Sequence, residues 1–259
     1  MTDTKSKKMM DLRLVDKQLW DRTVLLKLRA QDETFPPIYP GQFVQVRIDG
    51  SSKTYLRRPI SVHYVDEIKQ ELWLLVQLVG EGTRTLAEKP VGTLINVILP
   101  LGHPFSMPQA GREQVLLIGG GVGIAPLLYL GKILKDHGFQ PRFLLGARRA
   151  VDLTQLQSYE ALGPVYVTTE DGSMGERGFV TQHTVLQQQP DIIYCCGPKP
   201  MMQAVARYAQ EHQVNCEVSL ENTMACGLGA CLCCVEDTVE GHKCVCQEGP
   251  VFNLNQLKW

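Results

Sequence analysis

Apolar positions follow two different patterns along this chain of 259 residues. In the first part they form short runs rich in β-branched and aromatic side chains, which Pro and Gly interrupt, as in GQFVQVRI, RRPISVHYVD and QELWLLVQLVG. Several short strands at this spacing predict an antiparallel barrel or sandwich. We therefore expect an N-terminal antiparallel β-domain, a barrel or a sandwich, over residues 1–108.

The pattern changes near Gln114. The run VLLIGGGVGIAPLLYLGKILKDHG reads as an apolar strand, a glycine turn and an amphipathic helix. Two more strands follow in PRFLLGARR and PVYVTTED, and then a strand–turn–helix unit in DIIYCCGPKPMMQAVARYAQEHQ. Alternation of strands and helices predicts a parallel sheet, so we expect an α/β domain over residues 109–218.

Neither period continues beyond about Ser219, and the remaining segment, 219–259, is marked by its cysteines. Six of the nine cysteines lie between positions 226 and 246. Three of them have the C-x4-C-x2-C spacing by which plant-type proteins hold a 2Fe–2S cluster, and either of two later cysteines could supply the fourth thiolate. The three are Cys226, Cys231 and Cys234, and the two later ones are Cys244 and Cys246.

A structural zinc ion is the alternative for this segment, because the C-x2-C pair with one later cysteine could also form a tetrahedral site. Disulfides are disfavoured by the odd cysteine count and by the adjacent pairs Cys195–Cys196 and Cys233–Cys234. Thiolate-bound metal in a cytoplasmic protein is the better interpretation.

Composition narrows the function further. A hydrophobic content of 44% and a charged content of 20% are typical of a soluble globular protein. A net charge of -1 gives no electrostatic reason to expect nucleic acid. The N-terminal stretch has no apolar core for a signal peptide, and no run approaches the roughly 18 apolar residues of a membrane-spanning helix.

Two glycine-containing turns are candidate nucleotide-binding elements. Gly121 and Gly123 lie between a strand and a helix, where backbone N–H groups and the helix dipole favour a pyrophosphate. Pro126 stands where the strict dinucleotide fingerprint has a third glycine, and no acidic residue ends the next strand. A tight turn without a ligand therefore remains the alternative. The second turn, Cys196-Gly197-Pro198, could by itself be only a helix that starts at proline.

Taken together, strand–GGGxGIAPLL–helix and strand–CGPxPM–helix resemble the nicotinamide-binding half of the ferredoxin–NAD(P) reductase superfamily. The resemblance implies that both turns lie at the carboxyl edge of the sheet and hold a pyridine nucleotide between them. Gly121, Gly123, Gly197 and Pro198 would contact it, and Cys196 would lie near the nicotinamide. Cys195, on the other face of the strand, would belong to the core.

The same resemblance implies that the barrel binds FAD. Arg58 in the segment Arg58-Pro59-Ile60-Ser61 would meet the flavin pyrophosphate, which suits the fork of donors on a guanidinium, and Ser61 would lie near the flavin N5. The strand Leu75-Val76-Gln77 would run along the flavin. Gly82 and Thr83 would form a turn over the ribityl-phosphate region. A plain surface basic pair is the alternative for Arg57-Arg58, and His103 receives no role.

The cysteine segment discriminates within the superfamily. MACGLGACxxC and VCxxGPVF, together with RPIS, GEGT, GGGxGIAPL, EDGSxGxxGFVT and CGPxPM in that order, closely resemble the electron-transfer subunits of NAD-dependent (class 1B) dihydroorotate dehydrogenases. The resemblance covers essentially the whole chain. It implies that Cys226, Cys231, Cys234 and Cys246 bind the 2Fe–2S cluster, while Cys233 and Cys244 are spare thiols.

The implied role is electron transfer in pyrimidine biosynthesis. A partner subunit containing FMN would oxidise dihydroorotate, and electrons would pass through the 2Fe–2S cluster and FAD to NAD+. The complex would be a heterotetramer of two plus two subunits. This chain shows no pyrimidine site and alone would oxidise NADH without acting on dihydroorotate.

Three questions stay open at the level of sequence. A flavin–iron–sulfur subunit of a sulfide dehydrogenase or of a bifurcating transhydrogenase would share the architecture. A zinc-stabilised interaction module on a degenerate reductase scaffold is an alternative of a different class. We expect NAD to be preferred to NADP, although Arg148 and Arg149 could accept a 2′-phosphate.

Overall fold

The computed structural model describes residues 7–109 and 111–259, in which two seven-stranded sheets carry the fold. Residues 1–6 lie outside the described residues. They include the start of the predicted β-domain and of the N-terminal stretch in which the sequence predicts no signal peptide. Within the described ranges, no helix combines the length and apolar character needed to cross a membrane.

The first sheet is antiparallel and confirms the predicted barrel. Its strands are β1 Lys8–Leu19, β2 Thr23–Arg29, β3 Phe43–Val46, β4 Arg58–Ser61, β5 Tyr64–Asp66, β6 Glu71–Gln77 and β7 Leu94–Leu101, and helix α1, Glu81–Glu88, follows β6. The order across the sheet is β4-β3-β7-β1-β2-β6-β5. Only Val62 and His63 separate the two edge strands, β4 and β5, so the sheet must curl until its edges meet. Alternate side chains of β1, from Met10 to Leu14, fill the interior.

The second sheet is parallel, as the alternation of strands and helices predicts, except for its last strand. Its region contains β8 Val115–Gly120, α2 Ala125–Asp136, β9 Arg142–Ala147, α3 Leu156–Glu160, β10 Val165–Thr169, β11 Glu176–Arg177, β12 Ile192–Cys196, α4 Lys199–Glu211 and β13 Asn215–Ser219. Every residue of β8 and β12 is buried, which explains their continuous apolar sequences. Helix α2 lies close to the sheet because Gly131 faces Phe143, where a Cβ would come within 2.4 Å of the ring.

The cysteine segment contains a hairpin and one strand of the second sheet. Its elements are β14 Val235–Thr238, β15 Gly241–Cys244, α5 Val245–Glu248 and β16 Val251–Asn253. Strand β16 pairs antiparallel with β13, opposite Ser219, and completes the order β11-β10-β9-β8-β12-β13-β16. Residues 220–250 therefore leave and rejoin the same sheet edge. The domain boundaries 1–108, 109–218 and 219–259 remain predictions.

Buried contacts join the barrel to the nucleotide-type sheet. The Tyr129 hydroxyl of α2 donates to the Ile38 carbonyl at 3.0 Å. His63 Nδ1 lies 2.8 Å from the carbonyl oxygen of Ala125 at the start of α2. Leu25 and Leu75 of the barrel pack in one cluster with β8 and α2. These contacts fix the position of the barrel against the carboxyl edge of the second sheet.

Candidate functional site

A groove of about 640 Å³ lies between the barrel and the carboxyl edge of the second sheet. Five of the residues predicted from sequence line it, and they come from three separate elements. These are Leu75 and Gln77 of β6, Gly121 and Gly123 of the first turn, and Pro198 of the second turn.

The two glycine turns contact each other through their backbones. Strands β8 and β12 are neighbours in register, with Cys196 opposite Gly119, so both turns emerge at the same edge. A Cβ on Gly123 would lie 2.5 Å from the Cα of Gly197 and 2.6 Å from the carbonyl oxygen of Cys196. Gly121, at φ +56°, adopts a left-handed conformation that favours glycine. Only glycine allows the turns to approach this closely.

Helix α2 follows the first turn without an acidic residue in its first turn. Pro126 occupies one of the first two helical positions, where a missing N–H is tolerated. A 3-10 turn over Gly121–Ile124 leads directly into α2, and in it the Ala125 N–H donates to the Val122 carbonyl. The first N–H groups of this helical end therefore belong to the glycine turn, and with the helix dipole they make this end of the groove favourable for phosphate oxygens.

The predicted flavin residues Arg58 and Gly82 lie close together on the barrel. Arg58 belongs to β4, all four residues of which (Arg58, Pro59, Ile60 and Ser61) are half-buried on the sheet edge. Its guanidinium donates to the Leu56 carbonyl at 2.9 Å and lies beside Gly82, where a Cβ would come within 3.3 Å of Arg58 Nε. The segments RPIS and GEGT therefore converge.

One detail of the predicted flavin site is wrong. Gly82 and Thr83 were expected to form a turn, but they lie in the first turn of helix α1. The Thr83 hydroxyl donates to the Gly80 carbonyl at 3.0 Å, and the Gly80 N–H donates to that hydroxyl at 3.2 Å. This local capping explains why the sequence GEGT starts a helix. Val76 is 1% exposed and packs inside the barrel, so its side chain does not face the groove.

Cys195 and Cys196 are both buried, on opposite faces of β12. Cys195 packs in the cluster with Met202 of α4, as expected for a core residue. Cys196 belongs to the other cluster and lies beneath the groove rather than on its surface. Burial raises the pKa of both thiols well above the ordinary value, so both are neutral.

Several groove residues were not found from sequence. Glu221 lines the groove just beyond β13 and is close enough to Cys196 to raise the pKa of that thiol, while desolvation raises the pKa of its own carboxyl group. Asp152 lines the groove and forms an ion pair with Arg149 at 3.3 Å. Phe179 presents an aromatic ring that is 61% exposed. The EDGSxGxxGFVT segment was the only sequence signal for any of them, and it pointed to Phe179 without giving a role.

The cysteine loop directs backbone N–H groups at sulfur atoms. The N–H of Leu228 donates to Cys226 Sγ at 3.3 Å, that of Gly229 to Cys246 Sγ at 3.2 Å, and that of Cys246 to Cys234 Sγ at 3.3 Å. Gly227 and Gly229 have φ values of +70° and +81°, which lets the chain turn tightly around the sulfurs. Such donors are typical of the surroundings of iron–sulfur clusters.

The four predicted ligands differ in their exposure. Cys226 is half-buried and Cys231 is exposed, whereas Cys234 and Cys246 are buried. The Leu228 N–H lowers the pKa of the Cys226 thiol to about 6, whereas burial raises that of Cys246 to about 12.

This donor set fits a two-iron cluster better than a single zinc ion. Four cysteine thiolates bind a 2Fe–2S cluster, and backbone N–H groups already point at three of the four predicted ligands. In the part of the chain that the structure describes, no three His, Cys, Asp or Glu side chains converge closely enough to hold a single metal ion. Cys233 is exposed, and Cys244 ends β15 with its N–H donated to Glu248.

A barrel, a parallel nucleotide-type sheet and a loop whose cysteine sulfurs accept backbone N–H groups define a reductase of the ferredoxin-reductase type with an iron–sulfur segment. Residues 221–258 match the iron-sulfur cluster binding domain of dihydroorotate dehydrogenase B, and residues 117–207 match the oxidoreductase NAD-binding domain. The dihydroorotate dehydrogenase B (NAD(+)) electron transfer subunit of Shouchella clausii (strain KSM-K16) is 41% identical over 227 residues, which are 84% of this chain and 86% of that protein. The chain belongs to the family of dihydroorotate dehydrogenase B electron transfer subunits.

Other comparisons agree with this family. The corresponding subunit of Caldanaerobacter subterraneus subsp. tengcongensis is 42% identical over 221 residues, 83% of this chain and 85% of that protein. The structure of an NADH-dependent reduced ferredoxin-NADP oxidoreductase, described as a flavin-based bifurcating enzyme, superposes with a TM-score of 0.83 at 29% identity, covering 100% of this chain and 92% of that one. The FAD/NAD-binding domain of a Vibrio cholerae nitric oxide dioxygenase shares the fold, with a TM-score of 0.71 at 20% identity over 81% of this chain and 98% of that one. The predicted fold, family and NAD-linked electron-transfer role are confirmed.

Proposed function

We propose that this chain carries electrons from the FMN of a dihydroorotate-oxidising partner subunit to NAD+, by way of a 2Fe–2S cluster and FAD. The observation that carries the proposal is the set of three backbone N–H groups donated to the sulfurs of Cys226, Cys234 and Cys246. Sulfurs that are only spare thiols in a core have no need of this arrangement. The family membership supports the choice of partner and substrate.

The bound groups would divide the chemistry: FAD exchanges a hydride with the nicotinamide, and the cluster carries single electrons. The role of the protein is to place them. Cys226, Cys231, Cys234 and Cys246 would bind the two irons as thiolates. The buried Cys246 must lose its proton to bind iron, so metal binding at this residue is coupled to proton release.

On the barrel side, Arg58 and the start of α1 would hold the flavin pyrophosphate between a guanidinium and unpaired N–H groups. Ser61, at the end of β4, would lie towards the flavin ring, and Leu75 and Gln77 would line the ring along β6.

On the sheet side, Gly121 and Gly123 would bring backbone N–H groups to the pyrophosphate of NAD. Gly197 and Pro198 would lie next to the nicotinamide. Because burial raises the pKa of Cys196, its thiol beneath the groove stays neutral and places no negative charge next to the nicotinamide ring.

The finer assembly is also part of the proposal. We infer a heterotetramer of two copies of this chain and two FMN-containing subunits, located in the cytoplasm. The nine cysteines are all free thiols in the structure, which fits a reducing compartment. The exposed Cys231 and Leu232 put the cluster loop at the surface, where a partner could approach.

The decisive experiment compares Cys246→Ser with Cys244→Ser in the complex with the partner subunit. We expect Cys246→Ser to abolish dihydroorotate-dependent NAD+ reduction and the cluster EPR signal, while NADH-to-dye reduction by the flavin continues. Cys244→Ser, two residues away, should keep both activities. Equal loss of both activities in Cys246→Ser with FAD retained would contradict the proposed electron order.

One observation favours a second candidate. The bifurcating oxidoreductase covers the whole of this chain at 29% identity, so a role as a subunit of such an enzyme shares the fold and the cofactors. Purified complex supplied with NADH, reduced ferredoxin and NADP+ would form NADPH and oxidise both donors if this candidate were right. Activity with dihydroorotate and NAD+ alone would decide for the first.

A further inference from the structure

Gln45 has a fully buried side chain whose amide group makes no hydrogen bond within the fold. It lies on β3 and is 0% exposed. Neither Oε1 nor Nε2 has a hydrogen-bond partner among the described residues. Burying an unpaired amide is unfavourable, and buried polar groups are nearly always hydrogen-bonded in folded proteins. A group of this kind indicates a partner that the polypeptide does not itself provide.

The amide is aimed at the cysteine loop. A Cβ placed on Gly227 would lie 2.6 Å from Gln45 Nε2 and 2.7 Å from Gln45 Cγ. Gly227 directly follows Cys226, and its φ of +70° belongs to the tight turn that brings the Leu228 N–H to Cys226 Sγ. The absence of a side chain at Gly227 therefore makes the space that the glutamine occupies.

The same residue also borders the barrel strand proposed for the flavin. Gln45 pairs with Pro59 across β3 and β4, next to Arg58. Its backbone carbonyl accepts a hydrogen bond from the Arg57 guanidinium at 3.2 Å, so the main chain is anchored while the side chain stays unpaired. The backbone of Gln45 thus pairs with the strand RPIS, while its side chain reaches the loop around Cys226.

We propose that the Gln45 side-chain N–H donates a hydrogen bond to sulfur of the bound cluster on its Cys226 side and thereby raises the reduction potential of the cluster. The inference rests on the ligand assignment made under the proposed function. A donor to cluster sulfur stabilises the reduced form, which carries one more negative charge, more than the oxidised form. Gln45 is a positioning and tuning residue, since the thiolates themselves hold the irons.

The test replaces Gln45 by methionine in the complex loaded with FAD and cluster. Methionine has nearly the same length and lacks the N–H, so packing is largely kept. We expect the reduction potential of the cluster, measured by an EPR-monitored redox titration, to become about 59 mV more negative. This corresponds to a shift of about tenfold in the one-electron equilibrium towards the oxidised form. The flavin potential should not change.

Gln42 provides a matched control. It is also buried and lies one residue before β3, but its amide is paired, with Nε2 donated to the Gly102 carbonyl at 2.9 Å and Oε1 accepting the Tyr39 N–H at 2.8 Å. Gln42→Met should lower thermal stability without moving the cluster potential. Gln45→Glu, which keeps the shape and replaces N–H by oxygen, should shift the potential in the same direction as Gln45→Met.

The outcomes separate the two levels of the proposal. A cluster signal that is present in every protein, with the same potential in wild type, Gln45→Met and Gln45→Glu, would overturn the role of Gln45 and leave the ligand assignment standing. An equal shift in Gln42→Met would also overturn it. Absence of a 2Fe–2S signal from the wild-type protein would instead remove the ligand assignment.

Discussion

Replacement of Gly123 by alanine should impair nucleotide binding while leaving the flavin and the cluster in place. The added Cβ would lie 2.5 Å from Gly197 Cα and 2.6 Å from the Cys196 carbonyl oxygen. Both are backbone atoms, which cannot rotate away, and carbon atoms in contact normally stay about 3.5–4.0 Å apart. The two turns must therefore separate by about 1 Å, and overpacking of this kind costs about 1–3 kcal/mol.

The functional effect should exceed the effect on stability, because a displacement of about 1 Å in a positioning element can lower a rate by about 100-fold. We expect kcat/KM for NADH in dye reduction to fall between about 10-fold and 100-fold, mainly through KM. FAD content and the cluster EPR signal should stay at wild-type levels.

Gly138→Ala is the matched control for this prediction. Gly138 follows α2 at φ +85°, with nothing within 4 Å of an added Cβ. Alanine there should lower the free energy of unfolding by about 1 kcal/mol through backbone strain and leave the KM for NADH unchanged. The reasoning is refuted if Gly123→Ala keeps the wild-type kcat/KM, or if Gly138→Ala raises the KM for NADH as much.

Three further predictions concern single side chains. Asp152→Asn should raise kcat/KM for NADPH by about 5-fold to 10-fold, because it removes a carboxylate from the groove and releases Arg149; an unchanged NADH-to-NADPH ratio would contradict this. Burial lowers the pKa of His63 to about 4, so its contribution to stability is present above pH 6.5 and is lost as pH falls towards 4. The free energy of urea unfolding should drop by about 2 kcal/mol from pH 7 to pH 5 through His63, and the drop should be smaller by that amount in His63→Gln. Ser106→Ala removes a 2.6 Å hydrogen bond to the buried Glu217 carboxylate and should cost about 2 kcal/mol, seen as a lower Tm; an unchanged Tm would show that the bond contributes little.

The fold could be predicted from sequence because local patterns specify its parts. The buried strand β8 and the glycine turn after it are consecutive in the chain. The apolar run that forms the strand and the glycines that end it are therefore visible in one stretch of sequence. The C-x4-C-x2-C spacing likewise places three candidate ligands on one loop. In such cases the physical cause lies within about ten neighbouring residues.

The rest depends on contacts between distant segments. Asp152 and Glu221, which are far apart in sequence, line the same groove, and nothing in the residues around either one predicts that they share it. The pairing of β16 with β13 joins positions more than thirty residues apart. The sequence does not predict the helix that starts at Glu81 because glycine usually weakens a helix, whereas here Thr83 caps the helix.

The return of β16 to β13 means that the cluster loop is inserted between two neighbouring strands. The N–H of Leu220 donates to the Pro250 carbonyl at 2.9 Å, so the loop closes where it opened. The entropy of closing a loop rises only slowly with its length. The turn between β14 and β15, where Val239 is exposed, can therefore be lengthened or exchanged with little effect on the groove, whereas Glu221 near the start of the segment lines the groove. A reductase of this kind could acquire a different electron partner through one loop while its nucleotide chemistry remains intact.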